Sequence, residues 1–259
     1  MSAIKRNKLQ RLVTGWRRGT VAVSSYLKTL GITPELLYTY KRSQWIESIG
    51  KGAYRLSGDT VEWTGAVYAL QHQLSLNVHI GGKTALEMKG YAHYLSENIQ
   101  QVFLYGGPRQ KLPVWFKNYP WKTDIVFTST NLLPESCREG FSEFQIKEFS
   151  IRISAPERAA LEMLYHVPGN VSFDEASLIF ENMINLRPAV LQPLLEACTN
   201  IKVKRLFFYL AEYHQHRWFS QLRPANINLG TGKRMIVKHG MLDTRYQITI
   251  PKDSMESVL

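Results

Sequence analysis

VAVSSYLKTLGITPELLYTYKRSQWIESIGKGAYRL, residues Val21–Leu56, is the stretch whose reading decides the fold. Ser24 is a good N-cap for a short helix carrying Leu27 and Leu30, and Gly31 supplies the left-handed conformation that closes such a helix. Thr33 then caps a second helix. Pro34 sits at its first position, where a missing N–H costs nothing, and Glu35 complements the helix dipole in the first turn. Leu36 or Leu37 and Tyr40 fall at inward-facing spacings, leaving Glu35, Tyr38, Thr39, Lys41 and Arg42 outside. Beyond Trp45, the runs 46–49 and 53–56 flank Gly50-Lys51-Gly52, a glycine-bearing loop of hairpin length. Two short helices followed by a hairpin is the order of a winged helix-turn-helix, whose second helix enters a major groove.

Upstream, Leu9, Leu12, Val13 and Trp16 recur at i, i+3, i+4 and i+7, so an amphipathic helix packs under the motif. Charge follows the same boundary. The first 60 residues carry eleven bases against three acids, a net +8 of the chain's +11, and the other 199 residues hold only +3. A field of that sign attracts phosphates, and neutralising them releases counterions. A solvated basic surface and an anionic-membrane contact are the alternatives to DNA.

With 259 residues, 44% hydrophobic and 12% aromatic, the chain has material for two globular domains. Ser57-Gly58-Asp59 marks the boundary, so we expect an α+β protein: a winged helix-turn-helix over 1–58 and a larger mixed α/β domain over 61–259. No apolar run approaches the ~20 residues of a membrane span. The start MSAIKRNKLQ lacks a signal-peptide core, and the expectation is a cytoplasmic protein. Cys137 and Cys198 are far apart and read as ordinary buried thiols.

In the second part, Trp63, Ala66, Val67, Leu70 and Leu74 make a helical stripe, and Val78-His79-Ile80 a buried strand. Gly81-Gly82 leads into a helix closed at Gly90. Strand-Gly-Gly-helix invites a phosphate-loop reading. However, Gly82-Lys83-Thr84 would need a glycine at Asn77, so close strand–helix packing explains the glycines better. Strands are expected at 102–105, 114–116, 125–127, 145–149 and 151–153. Capping boxes at Ser154–Glu157 and Ser172–Glu175 start a helical layer with core faces through Phe180, Leu194 and Phe207. A final β pair is expected from 234–237 and 246–250.

Signals for chemistry are sparse. The seven histidines show no metal spacing, and only His214 and His216 are close, on different faces if helical. No nucleophile elbow occurs. Gly230-Thr231-Gly232-Lys233-Arg234 reads as a turn before a strand more readily than as a phosphate loop. Asp124 with Gln145-Ile146-Lys147 is a weak version of the acid-and-lysine pattern of metal-dependent restriction-type nucleases, with glutamine in place of the middle acid. We therefore expect no catalytic residues, metal or cofactor. The alternatives carried are that nuclease and a protein-interaction module without DNA binding.

The assembled residues resemble the AbiEi-type antitoxins, transcriptional regulators of type IV toxin–antitoxin and phage-defence systems. The resemblance rests on LGITPELL (30–37) and WIESIGKGAYRL (45–56), VHIGGKTALEMKG (78–90), NLGTGKR (228–234) and YQITIP (246–251). It implies an autorepressor whose N-terminal domain binds inverted repeats in its own promoter as double-stranded DNA. The C-terminal domain would counteract a nucleotidyltransferase-like toxin without requiring a stable complex. On the bottom-up reading, Thr33, Tyr38, Thr39, Lys41 and Arg42 read bases, with Lys51 and Arg55 on the wing. Lys5, Lys8, Arg11, Arg17 and Arg18, with a backbone N–H near Ser24 or Thr33, position phosphates.

Overall fold

The structure, a computed structural model, describes residues 3–92 and 99–252, with side chains from Lys8 onward. His93 lies outside the described residues. Contacts group the chain into two units, one of Met1–His79, Arg109–Ile125 and Glu143–Arg152, the other of Ile80–Pro108, Val126–Ser142 and Ile153–Leu259.

In the first unit, α1 (Ala3–Gly15), α2 (Ser24–Thr29) and α3 (Pro34–Arg42) enclose a core with the hairpin β2 (Ile46–Gly50) and β3 (Ala53–Leu56). β3 also pairs antiparallel with β1 (Ala22–Val23), giving a three-stranded sheet of order β1-β3-β2. Leu9, Leu12, Trp16, Leu27, Leu36, Leu37 and Tyr40 fill the interior, with Val13 packed against it. These are the positions that helical spacing places inward, so the fold is α+β with a winged helix-turn-helix at the N-terminus. Ser24 does not cap α2: Val23 is the N-cap, without a side-chain bond. The reason is that β1 runs directly into the helix, and Ser24 is already helical.

α4 (Trp63–Tyr68) continues into a π-helical turn at Ala69–Gln73, where two glutamines tie neighbouring strands. Gln73 bonds both ways with β1, donating to the Val21 carbonyl at 2.7 Å and accepting from the Val23 N–H at 2.9 Å. Gln71 donates to the Val78 and Arg152 carbonyls and accepts from the Arg152 N–H. α6 (Val114–Asn118) replaces the strand expected at 114–116. Val-Trp-Phe has high β propensity, but the Pro113 carbonyl accepts from the N–H groups of Phe116 and Lys117 and starts a helix. Trp115 is buried so close to Gly50 that a Cβ there would lie 2.8 Å away.

A five-stranded sheet runs β6-β5-β4-β8-β7, from strands β4 (Val78–Ile80), β5 (Gln101–Gly106), β6 (Asp124–Ser129), β7 (Phe141–Ile146) and β8 (Phe149–Ser154). β4 and β8 are parallel, with Ile80 opposite Ile153. The single strand expected over 145–149 is broken: Gln145 and Ile146 end β7, Phe149 opens β8, and Lys147-Glu148 is the turn between them. Lys147 adopts φ 47°, a left-handed turn position filled by a residue that gives no turn signal in the sequence.

The second unit stacks α5 (Gly82–Met88), α7 (Pro156–Tyr165), α8 (Phe173–Glu181), α9 (Pro188–Ala197) and α10 (Ile201–Tyr213). Ser172 caps α8 by accepting the Glu175 N–H at 3.0 Å, as its spacing predicts. Ser154 does not cap α7. It ends β8 and donates its hydroxyl to Glu162 at 2.7 Å, while Ala155 takes the cap position and Glu157 pairs with Arg187.

Glu162 explains the Gly81-Gly82 pair. Its carboxylate accepts the Gly82 N–H at 3.1 Å, the Ser154 hydroxyl and the Arg158 Nε at 3.1 Å. A Cβ on Gly81 would lie 2.1 Å from Glu162 Oε2, and one on Gly82 2.5 Å from the Tyr105 hydroxyl. The anion position at the start of α5 is thus filled by the protein's own buried carboxylate.

His214 and His216 do not occupy opposite helix faces, because α10 ends at Tyr213 and Gln215 turns the chain with φ 53°. Both rings pack round Phe180, 6.0 Å apart. The expected terminal β pair exists but is parallel, β9 (Arg234–Met235) with β11 (Ile248–Ile250). The connection contributes β10 (Met241–Asp243), antiparallel to β11.

Two outcomes follow from the packing. Gly81→Ala forces a Cβ into Glu162 and Tyr105 and should cost roughly 3 kcal/mol. At about 2–4 °C per kcal/mol, that lowers Tm by roughly 6–12 °C; a thermal melt superimposable on wild type would refute the close-packing account. Cys137 and Cys198 are both buried, and burial pushes the Cys198 thiol up to about 11 and raises Cys137 as well. Neither should react with a chromogenic disulfide at pH 8 in the native protein, and both should react in denaturant.

Candidate nucleic-acid interface

The turn between α2 and α3 is fixed by backbone geometry. Gly31, at φ 75°, donates to the Lys28 carbonyl at 2.9 Å, and Ile32 donates to the Leu27 carbonyl at 3.0 Å. These are the two bonds of a Schellman closure. Ile32 is buried, and Thr33 immediately caps α3 by accepting the Leu36 N–H. With Leu36, Leu37 and Tyr40 buried, α3 presents Glu35, Tyr38, Thr39 and Arg42 outward at i, i+3, i+4 and i+7, with Lys41 beside them. Tyr38 is 67% exposed, whereas Thr39 is half-buried and donates its hydroxyl back to the Glu35 carbonyl at 2.8 Å.

The wing is held to the same frame. Ser24 donates its N–H to the Gly52 carbonyl at 2.8 Å, tying the hairpin tip to the start of α2. That leaves Lys51 exposed at the tip. Ser24, Lys28, Tyr38, Lys41 and Tyr54 line one open groove between α2, α3 and β3.

The nominated bases separate into two groups. Arg11, Lys41, Arg42 and Lys51 are exposed and carry no partner among the described residues. Lys28 shares that condition and the groove, and the sequence reading missed it. Its one signal is its place next to Leu27, which puts it outside whenever Leu27 is inside. The others are engaged. Lys8 donates to the Gly31 carbonyl at 3.3 Å. Arg17 donates to the Glu148 carbonyl at 3.1 Å and lies over the Tyr68 ring, and Arg18 sits 3.9 Å from Asp59. Arg55 forms two bonds to one Glu47 oxygen, 2.9 and 2.7 Å, across the wing strands. That pairing holds the Glu47 carboxyl below its usual range. The Ser24 N–H is consumed by Gly52, and the side chain of Lys5 lies outside the described residues.

The other chemical patterns dissolve in three dimensions. Asp124 opens β6, while Gln145 lies at the end of β7 with Lys147 in the turn that follows, and these strands are the two edges of the five-stranded sheet. Four interstrand steps of about 4.8 Å put them on the order of 19 Å apart, too far to share one metal ion. The Gly230–Arg234 loop is wrapped round a buried arginine. Arg205 donates to the carbonyls of Leu229 at 2.7 Å and Gly230 at 3.0 Å, and also to Gly232. Its carbonyls are therefore turned toward a cation. Among the described residues no group of three His, Cys, Asp or Glu side chains is placed to hold a metal ion, and no helix is long and apolar enough to cross a membrane.

Comparison with known proteins assigns the frame. The model of the AbiEi antitoxin N-terminal domain of transcriptional regulators matches residues 5–97, and the model of the transcriptional regulator AbiEi antitoxin of type IV systems matches 99–251. The crystal structure of the RV2827C protein from Mycobacterium tuberculosis has the same fold, with a TM-score of 0.59 at 15% identity over 93% of this chain and 90% of that one. No curated protein matches the chain in sequence. With both models together running nearly end to end, the chain belongs to the AbiEi antitoxins, the transcriptional regulators of type IV toxin–antitoxin systems.

Proposed function

We propose that residues 1–58 form the DNA-reading module of an autorepressor, binding inverted repeats in its own promoter, and that 61–259 counteracts a nucleotidyltransferase-like toxin. The observation that carries the DNA reading is the set of exposed cations without a partner among the described residues, Lys41 and Arg42 on α3, Lys28 in the groove beside it and Lys51 at the hairpin tip. The outward stripe of α3 suits a helix laid in a major groove, with Lys28 and Lys51 at the phosphates. In this reading Thr33, Tyr38, Thr39, Lys41 and Arg42 face base edges, and Lys51 and Lys28 contact backbone. Lys5 and Arg11 extend the phosphate track. Lys8, Arg17, Arg18 and Arg55 join it only by exchanging the protein acceptors they now hold, which lowers their net worth. The toxin-directed role rests on family membership and on a second part whose anion position is filled from within.

Promoter duplex and gel retardation test this. Lys41→Ala/Arg42→Ala should weaken binding roughly 100-fold or more at physiological salt with an unchanged circular dichroism spectrum. Undiminished binding would remove the proposal. Salt dependence supplies a second measurement: log affinity should fall with log salt by about 0.9 per phosphate contact, and Lys28→Ala and Lys51→Ala should each reduce the slope by about 1. A flat dependence in the wild type would favour a protein-binding module.

A further inference from the structure

Glu35 is the one acid on α3 and stands outward, at the leading end of a stripe otherwise closed by Arg42 and bordered by Lys41. It has no basic partner among the described residues. The positions three and four residues on hold Tyr38 and Thr39, so no helical ion pair is available to it. Against a polyanion such a carboxylate opposes binding wherever it meets a phosphate. It contributes only where it can accept a hydrogen bond that a phosphate cannot offer.

We propose that Glu35 is a specificity-determining residue: its carboxylate accepts the exocyclic amine of a cytosine in the major groove and fixes a C·G pair at one position of the site. This rests on the DNA-reading role proposed above. Of the four bases, cytosine presents an amine donor at the major-groove edge with no adjacent acceptor, and acidic side chains pair with it. The N-terminal residues of a reading helix are the ones that meet base edges. Glu35 is the second residue of α3, and seven residues separate it from Arg42, about 10 Å along the axis. That is the rise of about three base pairs, so acid and arginine address different steps of one half-site.

The Thr33 hydroxyl, followed by the helix's own N–H, holds the Glu35 carboxyl below its usual range, so it is ionised and purely an acceptor. As the second residue of α3, Glu35 also complements the helix dipole, an effect indifferent to base sequence, so base discrimination is the readout that separates the two roles.

The test is selection from a library of duplexes with a randomised central segment, using the full chain, followed by competition between single-base variants of the enriched site. Wild type should enrich a motif with one C preferred over other bases by roughly 5- to 100-fold. Glu35→Gln, which keeps shape and removes charge, should convert that position to A, because an amide pairs both edges of adenine. Glu35→Ala should leave it degenerate while the other positions persist. Both variants should bind non-specific duplex more tightly than wild type. Identical motifs and identical discrimination for all three proteins, each with an unchanged thermal melt, would overturn the inference while leaving DNA reading intact. Binding by wild type without any preferred motif would overturn it as well. Failure of wild type to bind any duplex would instead overturn the DNA-reading proposal on which it rests.

Discussion

Three residues, Gly31, Ile32 and Thr33, set the direction of α3. The left-handed Gly31 returns two N–H groups to the last carbonyls of α2, Ile32 plugs the core, and Thr33 opens α3 at once. No slack remains between the two helices, so the outward stripe of α3 is oriented by the same contacts that bury Leu27, Leu36 and Tyr40. A β-carbon at Gly31 would have to adopt a backbone conformation that costs an L residue roughly 1 kcal/mol. The aim of the helix and the stability of the motif are therefore one property.

The second part answers a different problem, that of a strand-Gly-Gly-helix corner that would attract an anion. Glu162 fills it from within and is itself held by Ser154 and Arg158. The arrangement satisfies the otherwise unpaired N–H of the helix start and leaves no place there for a phosphate. Arg205 does the complementary thing at the other glycine-rich loop, where a buried guanidinium gathers carbonyls. Two sequence patterns that look like nucleotide sites are thus structural knots, each closed by a charged side chain distant in sequence.

This is where legibility from sequence ended. Caps, left-handed glycines and helical spacing are local, so the motif over Val21–Leu56 and the helical faces through Phe180 and Phe207 were readable. Val-Trp-Phe at 114–116 has strand propensity, yet it starts a helix on the Pro113 carbonyl and buries Trp115 against Gly50, some 65 positions away, a contact that local pattern does not announce. Likewise Lys147 turns the chain without any turn residue to announce it, and Ser154 looked like a cap because its true partner, Glu162, lies on the next helix. In the interface, residue type located the basic module but not which bases were free: Arg55 and Arg17 are occupied by acceptors that only the fold brings near, and Lys28 was passed over because charge alone does not show what lines a groove.

The bond from Ser24 to Gly52 has a bearing on how such a motif can diversify. A two-residue tip tied by its carbonyl to the start of α2 cannot gain or lose a residue without surrendering that bond and shifting the hairpin register. Changes in hairpin length are thereby disfavoured. The exposed side chains of α3, Glu35, Tyr38 and Arg42 among them, are not tied to the hairpin by a backbone bond of that kind. Under the proposed DNA-reading role, a change of target is channelled into a handful of surface substitutions on α3, while the scaffold beneath them stays mechanically the same.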